Sequence, residues 1–445
     1  MCVRMLWQKK WIKAARLGEP WLAINRVLTV RGLRLCLLRR AREPQYEPIS
    51  GSMLYVAASS LPFHTSGYTT RTHEVIRALR KAGIKVHALT RPGYPWDRKD
   101  RLCDPLSHMT LVEDVPYLHA CAPSKFRPVF QYAVQAAPVI AKMAAERRVA
   151  VIHAASNHVN ALPALLAAKR LGIPFHYEMR GLWELSRVSR MPEFEGSQGY
   201  RQGLQLEALV ARNADRVFVI SEQLRQYVRE NWGLPAARTA LLPNCVDPER
   251  MTPAAASRVR PGLIGYAGSL IGYEGLDVLI DAVAILAKQG MEVQVLVAGD
   301  GEARPRLEEQ VRRLGLAERI EFLGVLPPEA ARDMIGQCVL VCLPRRPFKV
   351  CELIPPIKLA EALVQGKPVI VPDLPVFRDE LGDSQSGWFF RPADALSLAD
   401  VIATALADRT ELVAAGKRAR AHAEAQRDWR LFVPEITESC KTKKR

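Results

Sequence analysis

No run of about 18 consecutive apolar residues occurs in the 445-residue sequence, so a membrane-spanning helix is not expected. The apolar stretches near the N-terminus are broken by arginines, so a secretory leader is not expected either. Cysteine is sparse and unordered, with nine residues and no CxxC pair, which argues against a disulfide framework and for a reducing compartment. Cys338, Cys342 and Cys351 stand near one another in sequence, which leaves a thiol metal site or burial in the core as readings. Zinc-finger spacing is missing, and so is any platform of aromatic and basic residues. Nucleic acid is therefore not expected as a partner.

What is present is the composition of an ordinary globular protein, 49% apolar and 24% charged. The length predicts two domains. The net charge is +17, and about half of it is local: residues 1–43 hold eleven Lys/Arg and two Glu. Residues 438–445 add Lys441, Lys443, Lys444 and Arg445. On a helical wheel Val3, Trp7, Trp11 and Ala14 share one side, with Lys9, Lys13 and Arg16 opposite. Such a helix suits the interface of an anionic membrane. An extension packed on the first domain is the alternative.

From Met53 onward short apolar runs alternate with helical segments. Strands are predicted at 53–59, 85–90, 149–154, 175–179 and 216–220, with helices between them. A Pro-rich connection, 243-PNCVDPERMTP-253, separates this series from a second. The second has strands at 263–268, 292–299, 319–324, 339–344 and 368–372. This pattern predicts an α/β protein with two Rossmann-like domains. We place the extension at 1–50, the domains at 51–250 and 251–428, and a C-terminal segment with a basic tail at 429–445. A ligand is expected in a cleft beyond the carboxyl ends of the strands.

Three segments carry chemistry. In 59-SSLPFHTSGYTTRTHEVIRALRKAG-83, Gly67 opens a helix whose free N–H groups and dipole favour phosphate, and Arg71 could add a cation. Tight strand–helix packing is the alternative. In 177-YEMRGLWE-184, Arg180 could meet a phosphate or sugar hydroxyl and Trp183 a sugar ring; an ion pair among Glu178, Arg180 and Glu184 competes with that reading. The third, 345-RRPFKVCELIPPIKLAEALVQGKPVIVPD-373, carries Arg345, Arg346, Lys349 and Lys358 into a helix start. Lys358 and Glu361 share a helix face, suiting a diphosphate and a ribose respectively, or a surface ion pair worth at most about 0.5 kcal/mol.

Pro243, Asn244, Val246 and Asp247, the 299-GDGE-302 turn and the PxKxxEAL…GKPVI run resemble family 4 glycosyltransferases. GYTTRTHEV, YEMRGLWE, YEGLDVLIDA and ELIPPIKLAEAL resemble a branch associated with bacterial exopolysaccharide assembly. The resemblance runs from about Met53 to about residue 410. It implies the GT-B fold and a nucleotide-sugar donor, with Glu361 at the donor ribose; together with the residue readings above, the candidate donor-binding set is Gly67, Arg71, Gly268, Ser269, Arg345, Lys358 and Glu361. Glu352, one residue from the family's first glutamate, is a candidate catalytic residue at the sugar. Arg180 is a second, nearest the place of the family's N-domain histidine; His153 and His158 remain possible, with core packing as the alternative.

The sequence departs from the family at 268-GSLIGYEG-275. Ser269 and Glu274 stand where Arg and Lys usually neutralise the donor diphosphate, and Glu274 is expected to repel it. The charge must then be met by Lys358, Arg345, Arg346, Arg71 or a helix dipole. The resemblance also implies retention of anomeric configuration, no cofactor, and no metal, in keeping with the lack of a DxD-like pair. The expected protein moves a sugar to a lipid-linked saccharide or glycan acceptor in surface polysaccharide synthesis. It would be cytoplasmic and peripheral on the inner face of a bacterial plasma membrane. A nucleotide-sugar epimerase of the same fold, or a non-catalytic glycan-assembly subunit, is the alternative.

Overall fold

The computed structural model describes the backbone of residues 19–440 and the side chains of residues 28–440. The paired tryptophan and lysine positions of residues 1–18, and the basic tail from Lys441, lie outside the described residues. Among the described residues no helix is long and apolar enough to cross a membrane. The chain divides into two compact units. The first holds the chain up to Val219, Tyr227–Ala240 and the segment from Val433; the second holds Ile220–Gln226 and Leu241–Phe432.

The first unit is built on an eight-stranded sheet in the order β3-β4-β2-β1-β5-β6-β7-β8. Its strands are β1 (Ile49–Ala57), β2 (Lys85–Thr90), β3 (Met109–Val112), β4 (Val115–Leu118), β5 (Val149–Ala155), β6 (Phe175–Met179), β7 (Arg216–Val219) and β8 (Thr239–Leu241). The central pairs β1–β2, β1–β5, β5–β6 and β6–β7 are parallel, and every residue of β5 and β6 is buried. That burial explains their unbroken apolar character, since a parallel sheet is covered on both faces. The β3–β4 pair at the sheet edge is antiparallel and was not anticipated. Its strands are four residues each with alternating exposure, too short for a clear apolar run.

Helix Glu19–Leu38 packs on the first unit against helices Val129–Glu146 and Gln198–Asn213. Val30, Leu33 and Leu37 are buried there, while Leu28, Leu35 and Leu38 are exposed. Its outward side also carries Arg31 and Arg34 in solvent. The periodicity of about three and four residues thus serves two surfaces at once.

The second unit carries a six-stranded sheet in the order β11-β10-β9-β12-β13-β14. The strands are β9 (Leu263–Ala267), β10 (Gln294–Ala298), β11 (Ile320–Gly324), β12 (Leu340–Cys342), β13 (Val369–Pro372) and β14 (Gly387–Phe390), all paired in parallel. Both units therefore have the Rossmann-like α/β organisation expected. Strand order reverses between β9 and β12, which makes their carboxyl ends the natural place for a ligand. Cys338, Cys342 and Cys351 are buried, and burial raises their thiols, that of Cys351 to about 11. They belong to the core rather than to a metal centre.

Candidate functional site

At the reversal point of the second sheet, β9 delivers Tyr266 and then turns at Gly268. This turn has φ +154, a conformation that favours glycine, and Lys358 lies against it, its Cε 2.4 Å from where a Cβ would stand. The loop returns through Gly275 (φ +74), where a Cβ would lie 1.9 Å from the Pro344 carbonyl oxygen. That contact brings Glu274 under the segment following β12, from which Arg345 projects. Helix Ile357–Val364 supplies Lys358 from the third side.

These groups form one buried cluster around Glu274, which is 3% exposed. Arg345 Nη2 donates to Glu274 Oε1 at 2.8 Å and Nε to Oε2 at 3.3 Å. Its Nη1 is fixed on the Ile354 carbonyl at 2.8 Å. Lys358 Nζ donates to Glu274 Oε2 and to the Tyr266 hydroxyl, each at 2.8 Å. The Tyr266 hydroxyl reaches the Ser269 carbonyl at 3.0 Å, and Lys358 Nζ lies 4.6 Å from the Tyr266 ring centroid. Burial alone would raise the Glu274 carboxyl; Arg345 and Lys358 reverse that and hold it down to about 2. For Lys358 burial wins, and its ammonium falls below the usual value despite Glu274.

This arrangement corrects the expectation that Glu274 repels a diphosphate. Its charge is neutralised by two cations, and the trio keeps a positive surplus. The sequence contained Arg345, Lys358 and Glu274, but nothing local signals that they meet. Glu361 sits one turn beyond Lys358 on the same helix, half-buried, and its charge is felt at Lys358. Glu352 is paired with Lys349 at 2.9 Å, and Arg346 with Asp277. Neither Arg346 nor Lys349 contacts Glu274 among the described hydrogen bonds.

The first unit holds a second cluster at its own reversal point, between β1 and β5. Glu178, at the end of β6, is 1% exposed. Arg71 Nε donates to Glu178 Oε1 at 3.0 Å, and Arg180 reaches the same carboxylate through Nε and Nη2, each at 2.9 Å. Arg180 Nη1 donates to the Tyr68 carbonyl at 3.0 Å and Thr72 Oγ1 at 2.7 Å, and Nη2 also to the Tyr55 hydroxyl at 2.5 Å. A guanidinium has five N–H donors, and these contacts engage all of them. Burial would raise the Glu178 carboxyl, yet Arg180 and Arg71 hold it well below the carboxylate range. His153 Nε2 lies 3.3 Å from Glu178 Oε2.

Gly67, exposed, begins helix Gly67–Lys81, whose N-cap Ser66 forms a capping box with Thr69. The side chains of that box engage the backbone N–H groups of Ser66 and Thr69. Arg71 turns from this end toward Glu178. Trp183 is 66% exposed. Glu184 does not join Glu178, contrary to the ion pair considered from the sequence. It faces His158 and Glu207 instead: His158 Nδ1 is 3.9 Å from Glu184 Oε1 and 3.1 Å from Glu207 Oε1. The lack of a side chain at Gly203 makes room, since a Cβ there would lie 2.0 Å from Glu184 Oε1. Burial and then the charge of Glu207 push the Glu184 carboxyl up to about 7, with His158 opposing.

Residues 66–245 match the family model described as "Glycosyl transferase 4-like domain", and residues 249–422 that described as "Glycosyl transferases group 1". An alpha-D-kanosaminyltransferase of Streptomyces kanamyceticus is 27% identical over 212 residues, 45% of this chain and 54% of its own. A D-inositol 3-phosphate glycosyltransferase of Nocardia farcinica is 30% identical over 235 residues, covering 49% and 50%. The chain thus spans about half the length of these curated relatives. Among solved structures, sucrose-phosphate synthase from Thermosynechococcus elongatus superposes with TM-score 0.72 at 19% identity, covering 87% of this chain and 97% of that one. Anabaena HepE in complex with UDP-glucose superposes with TM-score 0.66 at 19% identity, covering 87% and 98%.

Proposed function

Two glycosyltransferase domains make up the body of this chain, and from that premise we propose that it transfers a sugar from a nucleotide-sugar donor, with retention. The acceptor is a lipid-linked saccharide or glycan, and the pathway is bacterial surface polysaccharide synthesis. The observation that carries the reading is the Glu274–Arg345–Lys358 cluster, with its positive surplus, where the second sheet reverses order. Diphosphate charge grows as the glycosidic bond to the leaving group breaks, and fixed cations stabilise that charge without reorganising. Lys358 and Arg345 supply them beside the Gly268 turn, and Glu361 on the Lys358 helix takes the donor ribose. The cations meet the charge without a metal. HepE has been solved with UDP-glucose, so a UDP-sugar is the first donor to try.

The N-terminal segment adds a location: the exposed Leu28, Leu35 and Leu38 with Arg31 and Arg34 form a face suited to an anionic membrane on the cytoplasmic side. One experiment tests both parts. A nucleotide sugar that raises the melting temperature is supplied, labelled, with a lipid-linked acceptor in anionic vesicles. Label moving to the lipid-extractable product is expected, with vesicle binding lost when residues 1–43 are removed. Interconversion of the free nucleotide sugar without transfer would identify an epimerase. An absence of nucleotide binding would favour an assembly subunit.

A further inference from the structure

We propose that Glu274 is a positioning residue that keeps Lys358 charged and aimed at the donor diphosphate. This rests on the donor reading above and goes beyond it, because Glu274 itself bears the wrong sign to touch phosphate. The three members of the cluster are not equivalent. Arg345 is held twice over, in a two-contact pair with Glu274 and on the Ile354 carbonyl. Its side chain is 9% exposed, and it is the permanent countercharge of Glu274. Lys358 is bound to Glu274 through a single nitrogen, its side chain is 13% exposed, and its Cε lies against Gly268 at the end of β9. A point charge on a flexible stem can turn from one anion to another, whereas a paired fork cannot do so cheaply. Lys358 is thus the cation that can be shared with a ligand while Arg345 keeps Glu274 satisfied.

Glu274 is needed because of where Lys358 sits. Burial and the nearby guanidinium of Arg345 both favour loss of the ammonium proton; Glu274 and, more weakly, Glu361 oppose them. Remove the Glu274 carboxylate, and Lys358 is left buried beside an arginine whose charge is no longer met. With its main opposing anion gone, its ammonium is pushed further down, and a neutral amine does not hold a diphosphate. The loop following β9 therefore contributes to the grip indirectly, by holding a lysine that comes from another element.

The test is calorimetric titration of uridine, guanosine and adenosine diphosphates into the full chain from pH 7 to 9, in two buffers of different ionisation enthalpy. Wild-type protein should bind one of them with an affinity that is nearly flat over this range and with no net proton uptake. Glu274→Gln should bind at least tenfold more weakly at pH 9 than at pH 7, taking up close to one proton at the upper end, since loss of one required proton costs at most tenfold per pH unit. Adding Lys358→Arg to Glu274→Gln should restore a flat profile, because a guanidinium does not titrate here. A Glu274→Gln variant with wild-type affinity and no proton uptake would overturn the inference and leave the donor reading intact. Wild-type protein that binds no nucleoside diphosphate would overturn both. Should the Gln variant not fold, Glu274→Asp serves: withdrawing the charge by one methylene should give a shallower fall, a few-fold, again cancelled by Lys358→Arg. A Glu274→Asp profile identical to wild type would then assign Glu274 to stability alone.

Discussion

Each unit of this protein buries one carboxylate between two cations at the point where its strand order reverses. Glu178 has Arg71 and Arg180; Glu274 has Arg345 and Lys358. The charges are the same, yet the two clusters are built for different work. Around Glu178 both cations are arginines, Arg180 spends every donor it has, and Tyr55, Thr72 and the Tyr68 carbonyl close the remaining valences. Around Glu274 one arginine is replaced by a lysine with a single anionic contact and a glycine turn against its stem. A fully satisfied network rigidifies its surroundings, and one with a transferable member can serve a ligand. The comparison teaches that burial and charge balance do not by themselves mark a binding site; the freedom of the individual donor does.

The largest effect should separate the clusters by stability. Glu178→Ala leaves two buried arginines without their anion, and unfolding in denaturant should show a loss of about 3–5 kcal/mol. A loss below about 1 kcal/mol would mean that the first cluster is not the structural one. Next, Lys358→Ala leaves Glu274 paired with Arg345. Stability should therefore fall by only about 1 kcal/mol, while nucleoside diphosphate affinity falls about ten- to a hundredfold, or ~1.4–2.8 kcal/mol by calorimetry. A reversed ranking, with stability lost and affinity kept, would place the second cluster beside the first.

The smallest effect concerns a third buried group, in which two carboxylates share one histidine. Glu184 has a folded-state value of about 7 against 4.5 ordinarily, so folding favours its protonated form. The folded state then binds more protons than the unfolded one between those values, and stability is lost as pH rises through that window. Glu184→Gln removes the penalty. The melting temperature of the variant should exceed that of wild type at pH 8, by the equivalent of about 1–3 kcal/mol, and match it near pH 4. Equal melting temperatures at pH 8 would show that His158 already neutralises the pair.

Much of the architecture was legible in the residues. Short continuous apolar runs marked the central parallel strands and the segments between them read as helices, because a strand buried on both faces must be apolar along its length. The edges were not legible: β3, β4 and β14 are four residues each and half-exposed, so nothing periodic distinguishes them from loop. Helix Arg409–Gln426 also went unread, since its alanines and charges give little amphipathic contrast. At the candidate site, Lys358 and Glu361 could be placed on one face from their spacing alone. The Arg180–Glu178 pair could be read from their spacing of two, whereas the other Arg180 partners, Tyr55 on β1 and Tyr68 and Thr72 on the helix after it, lie more than a hundred residues away.

Sequence alone determined the two-domain α/β plan and the lysine-bearing helix, since each follows from local periodicity. It also exposed the anomaly of Glu274, an acid where the resembled family places a cation. Only the tertiary structure decided what that acid does. Its partner Arg345 is 71 residues distant, and the pairing exists because β9 and β12 are neighbours in the sheet. Charge acts through space and is strengthened by burial, and neither distance nor burial is written in the order of residues.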